Sequence, residues 1–338
     1  MGVQLTNLVP KKEITFDELK GKRIAVDASQ MLYQFLSSIR QRDGTPLMDS
    51  QGRITSHLVG LSSRIPNLMQ KGLQLCFIFD GKPPRMKNEE LAKRSERKAN
   101  AREKLEQAKE EGDEVAILRY TQQSISVYKE MMDEAKEFIK ALGLPVIQAP
   151  SEAEAQAAFM AEKKDVDYVA SSDYDALLYG APKMLRNLTL SSRRKLPSGA
   201  YITITPEVIS LTDTLNTLGI TRDQLIVLSI LVGTDFNIHG VKGIGPKTAL
   251  RLVKEYKDFE TLFKEVKPTF NWKKVYAIFK SMPIMKEYQL KWTQPNPERI
   301  KKILIEEHEF NEERIEKIIF NITKQTKKKD QSDLKKWF

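Results

Sequence analysis

Three aspartates close three apolar runs in this 338-residue chain. Lys22-Arg-Ile-Ala-Val-Asp27, Leu73-Gln-Leu-Cys-Phe-Ile-Phe-Asp80 and Asp167-Tyr-Val-Ala-Ser-Ser-Asp173 each read as a strand stopped by acid. Asp175 follows Asp173 by two residues, Asp235 stands in Val232-Gly-Thr-Asp-Phe, and Glu152 and Glu154 open a helical run after Pro150-Ser151. Taken singly, each aspartate has a bland explanation, because aspartate suits turns. Ser151-x-x-Glu154 also matches a capping box, and an acid at a helix start favours the dipole. Seven acids converging on one crevice are a different matter. Carboxylates packed without cations repel and take up protons. Divalent cations relieve the repulsion, and an oxygen-only ligand set points to Mg²⁺ or Mn²⁺. The chain offers no alternative donors: Cys76 is its one cysteine, and His57, His239 and His308 have no metal-ligand spacing. Two such ions about 3.5–4 Å apart activate water and stabilise the leaving oxygen of a phosphodiester. Against seven negative charges they leave three uncompensated, so some of the acids act through water.

The surroundings of these acids are basic. Lysine and arginine number 55 against 45 acids, a net charge of +10 and a pI near 9.3, which suits a polyanionic partner. No run of 18 apolar residues and no apolar signal segment occurs, so neither membrane spanning nor secretion is expected. Between residues 82 and 104 nine basic residues stand against four acidic ones, and Lys87 and Arg94, seven apart, are expected to share a helical face near Asp80. Gly240-Val-Lys-Gly-Ile-Gly-Pro-Lys-Thr248 is not a P-loop, because Pro246 separates Gly245 from Lys247 and no strand precedes it. It reads as a helix-hairpin-helix turn in which Gly243, Gly245 and Lys247 hold a backbone phosphate.

Helices are expected at 30–40, 56–69 and 152–163, alternating with the acid-ended strands. That alternation predicts an α/β fold with a mainly parallel central sheet and helices on both faces. A strand pair is expected within 183–204 around a basic loop at 191–199, and an apolar helix at 221–232 opened by a Thr221-x-x-Gln224 capping box. The chain divides on this reading into a nuclease region (1–98), a helical segment (99–115), an internal nuclease region with the hairpin (116–258), C-terminal helices (259–322) and a polar, lysine-rich tail (323–338).

Together these segments resemble the flap endonucleases of the structure-specific 5′-nuclease superfamily. The likeness rests on Val26-Asp-Ala-Ser29, Phe79-Asp-Gly-Lys-Pro-Pro84, Leu91-Ala-Lys-Arg-Ser-Glu-Arg97, Ala149-Pro-Ser-Glu-Ala-Glu-Ala155, Ser171-Ser-Asp-Tyr-Asp175, Val232-Gly-Thr-Asp235 and Gly243-Ile-Gly-Pro-Lys247. It implies a PIN-like fold and a site for two Mg²⁺, with Mn²⁺ able to substitute, held by Asp27, Asp80, Glu152, Glu154, Asp173, Asp175 and Asp235. It implies that Lys87 and Arg94 reach the scissile phosphate from a helical gateway with a cap, that Tyr33 stacks on an unpaired base, and that Gly2 lies near the active site. The implied activity is 5′-flap incision with 5′–3′ exonuclease action in replication, including Okazaki fragment maturation, and in repair. Gln331, Leu334, Trp337 and Phe338 stand at the anchor positions of a motif that resembles sliding-clamp-binding tails. The chain is thus expected to be a cytoplasmic, archaeal-type enzyme, monomeric when free, with branched DNA and the clamp as partners and no membrane. Its rivals are a superfamily nuclease for bubbles or junctions and a non-catalytic, clamp-tethered DNA-binding protein.

Overall fold

The computed structural model describes residues 3, 5–6, 8–41, 43–188, 193–195, 201–256 and 258–334. Its strands are β1 (Lys12–Glu13), β2 (Arg23–Asp27), β3 (Gln74–Phe79), β4 (Val146–Gln148), β5 (Tyr168–Ala170), β6 (Lys183–Arg186), β7 (Arg193–Lys195), β8 (Tyr201–Thr203) and β9 (Glu207–Ser210). Seven of them form one mixed sheet in the order β1-β9-β6-β5-β2-β3-β4, while β7 and β8 make a separate antiparallel pair. The pairs β2–β5 and β5–β6 are parallel, with Ile24 opposite Tyr168 and Val169 opposite Met184. An antiparallel edge, β6–β9–β1, extends this parallel part. The strand pair expected within 183–204 is divided differently. Strand β6 takes β9 as its partner, a register that buries Met184, Leu185 and Ile209, and Arg193–Lys195 pairs with Tyr201–Thr203.

The helices, in chain order, are α1 (Ala28–Ser38), α2 (Ser56–Gln70), α3 (Asn88–Glu111), α4 (Glu114–Gln123), α5 (Lys129–Ala141), α6 (Ala153–Glu162), α7 (Asp175–Leu178), α8 (Leu211–Leu218), α9 (Arg222–Val232), α10 (Pro246–Glu255), α11 (Phe259–Val266), α12 (Trp272–Ser281), α13 (Pro297–Lys301) and α14 (Glu312–Leu334). Helix α14 carries helical backbone eleven residues past 323, into the stretch the sequence marks as a polar tail. Among the described residues no single helix is long and apolar enough to cross a membrane.

The chain divides into two compact units. One comprises Met1–Asp27, Ile78–Ala92 and Gln148–Glu287, the other Ala28–Phe77, Lys93–Ile147 and Tyr288–Phe338. In the first, β2 is buried from Ile24 to Asp27, and its run Ile24-Ala-Val26 is continuously apolar rather than alternating. Helix α6 packs on β2 and β5, and it buries Ala153, Ala155, Ala157, Ala158 and Ala161, small residues that suit a close approach. Helix α9 is buried from Leu225 to Leu231, and its capping box forms as expected, with Thr221 and Gln224 each bonded to the other's backbone.

The second unit contains a buried charge cluster. His308 presents Nδ1 to Asp49 Oδ2 at 3.1 Å and Nε2 to Glu134 Oε1 at 3.4 Å, while His57 Nε2 lies 3.0 Å from Glu134 Oε2. Carboxylates on both ring nitrogens favour the imidazolium, and the bond with Glu134 raises the His308 pKa despite burial. Burial would push Glu134 up, but hydrogen bonds from His308 and His57 outweigh it and hold the carboxyl down at about 2. Because the folded pKa of His308 is raised, its stabilisation is complete below about 6.5 and disappears as pH rises through the folded value. His308→Gln should therefore lower the melting temperature clearly at pH 6 and much less at pH 9; equal losses at both pH values would refute a charged His308.

Candidate active site

Several of the acids are held at the first unit's site by contacts that can be traced. Phe79 ends β3 and its carbonyl accepts from Ala149 N at 2.8 Å; Gly81 N then donates to Ser151 O at 2.6 Å and Lys82 N to Pro150 O at 3.2 Å. This lacing leaves no room for a side chain at Gly81, whose Cβ would overlap Ala149 O. Gln148 Nε2 holds the Asp80 carbonyl at 2.5 Å. Asp80 is thereby carried to the start of α6, where its Oδ1 accepts from Ala153 N at 2.8 Å. The capping box that Ser151-x-x-Glu154 would allow does not form. Glu152 is the N-cap without a side-chain bond, and Ser151 Oγ is used on Lys82 O at 3.0 Å. Asp80 does the capping from a distant part of the chain, so Glu154 has no capping role.

Asp173 and Asp175 follow β5. Ser171 Oγ accepts from Asp173 N at 3.1 Å, and Asp175 begins α7 with Val3 N donating to its Oδ1 at 3.3 Å. At the other end of α7, Arg222 Nε and Nη2 both donate to Leu178 O, at 3.1 and 3.0 Å. Gly2, expected near the site, lies outside the described residues, next to Val3. Asp235 sits in a turn clamped by its neighbours: Thr234 Oγ1 donates to Asn237 Oδ1 at 2.6 Å and accepts from Phe236 N at 3.1 Å, and Asn237 Nδ2 ties the turn to Ile230 O at 2.7 Å. Thr234, Asn237 and Arg222 are positioning residues that the sequence reading missed, although Thr234-Asp-Phe-Asn237 carries a turn signal.

Asp27, Glu152, Asp175 and Asp235 are buried, and Asp80, Glu152 and Glu154 each offer an oxygen within 4.8 Å of the others. Burial, then the fields of Asp27, Asp80, Glu152 and Asp175, push the Glu154 pKa well up. Burial, then Asp235 and Asp173, push Asp175 up to about 7. Glu154 and Asp175 thus feel the other five acids between them, and burial with those fields favours the protonated form of both. Lys87 is the cation among them, with Nζ 2.6 Å from Glu152 Oε2 and 3.4 Å from Asp235 Oδ2. Burial alone would lower its pKa, but Glu152, Asp235 and Glu154 outweigh that and raise it, so Lys87 is charged. Burial raises Glu152 as well, partly offset by Lys87. Tyr179, absent from the sequence reading, is a phenol kept neutral by burial and by Glu152, Asp175, Glu154 and Asp235.

Lys87 closes a 3₁₀ turn (Arg85–Lys87) ahead of α3, so its seven-residue spacing to Arg94 does not run along one regular helix. Arg94 lies on α3 in the second unit, as does Tyr33 on α1, 42% exposed with Lys98 Nζ 5.9 Å from its ring centre. The turn between α9 and α10 has Gly243 at φ +82°, Gly245 as N-cap, Pro246 in the first turn and Lys247 exposed beside it. Its free first-turn N–H groups suit a phosphate. Of the clamp motif, Trp337 and Phe338 lie outside the described residues, and Gln331 and Leu334 are described only as helical backbone of α14.

Residues 1–101 match the XPG N-terminal domain and 143–235 the XPG I-region. Flap endonuclease 1 of Thermococcus onnurineus is 49% identical over 342 residues, covering 100% of this chain and 99% of the relative. That of Staphylothermus marinus is 45% identical over 349 residues, with complete coverage of both. Among solved structures, the flap endonuclease-1 of Methanococcus jannaschii superposes with a TM-score of 0.77 at 36% identity, covering 97% of this chain and 100% of the other. The catalytic core of Rad2 in complex with DNA substrate, at 22% identity and a TM-score of 0.68, shares the fold.

Proposed function

This chain belongs to the flap endonuclease 1 family and is a structure-specific flap endonuclease; on that premise we propose that it incises 5′-flapped DNA by two-metal phosphodiester hydrolysis, with Mg²⁺ as cofactor and Mn²⁺ a substitute. The reading is carried by one observation, the convergence of seven carboxylates and one lysine within a single compact unit. The donor set is all oxygen, and protons held on Glu154 and Asp175 mark charge that a hard cation would compensate. Asp80, Glu152 and Glu154, whose oxygens converge, would hold cations together with Asp27, Asp173, Asp175 and Asp235. When bound, the cations supply an ionisable water at neutral pH and neutralise charge on the leaving oxygen.

The chain's own side chains do the rest. Lys87 keeps a fixed positive charge at the carboxylates, placed to neutralise charge developing on the scissile phosphate, with Arg94 in the same role. Tyr33 offers an exposed ring for an unpaired base, and Gly243, Gly245 and Lys247 hold the duplex backbone without reading sequence. The C-terminal anchors Gln331, Leu334, Trp337 and Phe338 dock on the replication sliding clamp, in an enzyme that is cytoplasmic and monomeric when free.

Purified protein stripped with EDTA and assayed on labelled 5′-flap, bubble and four-way-junction DNAs should cut the flap preferentially, and only after Mg²⁺ is restored. Preference for bubble or junction, or cutting in EDTA, would overturn the assignment. Deleting residues 331–338 should leave free-flap cleavage nearly unchanged and abolish stimulation by the clamp. A buried aromatic anchor is worth about 2 kcal/mol or more, so Phe338→Ala should weaken clamp binding at least about thirtyfold. Intact stimulation after the deletion would refute the docking role.

A further inference from the structure

Tyr174 separates Asp173 from Asp175, in a stretch where β5 has already ended at Ala170 and α7 has not yet begun. Nothing periodic fixes the backbone there, yet two carboxylates that must share a metal site hang on either side. Tyr174 is 3% exposed. Its hydroxyl accepts a hydrogen bond from Arg186 Nη1 at 2.8 Å, and the Arg186 guanidinium carbon lies 5.0 Å from the ring centre. Arg186 is the last residue of β6, the parallel neighbour of β5, in a register that sets Ala170 opposite Leu185. Both partners therefore emerge at the same edge of the sheet, one from the acid loop and one from the adjoining strand.

The pairing is selective. A guanidinium is well suited to bidentate pairing with a carboxylate. Here Arg186 spends a donor on a phenol, and its Nε is buried without a hydrogen-bond partner. A planar cation stacked on the ring and bonded to the hydroxyl restrains the tyrosine in both tilt and position. We infer that Tyr174 and Arg186 form a positioning clamp that sets the spacing of the Asp173 and Asp175 carboxylates for cation binding and flap cleavage. This rests on the proposal that those aspartates hold the metal.

The test uses the full-length protein as Tyr174→Phe, Arg186→Met and the double variant, with Asp173→Asn alongside. Mn²⁺ binding is read directly from the electron paramagnetic resonance signal of the free ion, and single-turnover cleavage is read against both Mg²⁺ and flap concentration. Partners that orient metal ligands typically cost about 10- to 100-fold in metal affinity or activity when lost. Each single variant should therefore weaken Mn²⁺ binding and raise the half-saturating Mg²⁺ by roughly tenfold or more. The KM for flap should hardly move, and melting should stay cooperative. The double variant should be no worse than Arg186→Met, because each partner acts through the other. Arg186→Lys, which keeps charge without the planar fork, should not rescue. If Asp173→Asn loses activity while the clamp variants bind Mn²⁺ like the parent, the clamp is refuted and the metal site stands. Additive losses in the double variant would also refute it. If Asp173→Asn itself cleaves normally, the metal-site reading fails first.

Discussion

Asp173→Asn is expected to abolish nearly all cleavage while flap DNA still binds. The substitution is nearly isosteric and leaves the backbone N–H bonded to Ser171 Oγ, so the loop should keep its shape. What disappears is one negative charge from a site where burial and neighbouring carboxylates already push the Glu154 and Asp175 pKa values up. Loss of roughly three orders of magnitude in rate corresponds to about 4 kcal/mol of transition-state stabilisation. Binding should persist because phosphate contacts elsewhere, such as those proposed for Gly243, Gly245 and Lys247, supply most of the affinity. Glu154→Gln should behave alike. Since Asp80 caps α6, an activity loss there cannot be ascribed to a broken capping box. Single-turnover assays beside gel-shift titrations decide the matter, and near-parental turnover in either variant would remove that carboxylate from the machinery.

Lys87→Ala should lower the single-turnover rate by roughly 10²-fold or more, with a smaller change in flap affinity, as expected of a cation that acts on developing charge. A second consequence follows from its contacts. Lys87 Nζ restrains the Glu152 carboxyl, which burial pushes up. With the ammonium gone, Glu152 binds its proton more tightly, so the acid limb of the pH–rate profile should move to higher pH. A variant that loses affinity alone, with an unshifted profile, would show Lys87 to be a surface phosphate contact.

The chemistry legible along the chain was the chemistry of near neighbours. Continuous apolar runs marked β2 and β3 because strands buried on both faces need no alternation, and the acids that stop them fall where those strands end. The capping box on α9 was visible for the same reason, since both partners lie within three residues. Where such short-range signals misled, a distant group had taken the same atom. Ser151 looks like a cap, yet its hydroxyl is held by Lys82 O, 69 residues earlier, and Asp80, 73 residues from Ala153, caps α6 instead. Lys87 finds Glu152 across 65 residues, Arg222 finds Leu178 across 44, and Val3 finds Asp175 across 172. Residue type and spacing were enough to single out the carboxylates and to propose a hard cation for them, because ligand chemistry depends on which atoms are present. Which acid doubles as a cap and which cation is buried among them depend on packing, and packing joins segments whose separation along the chain carries no local pattern.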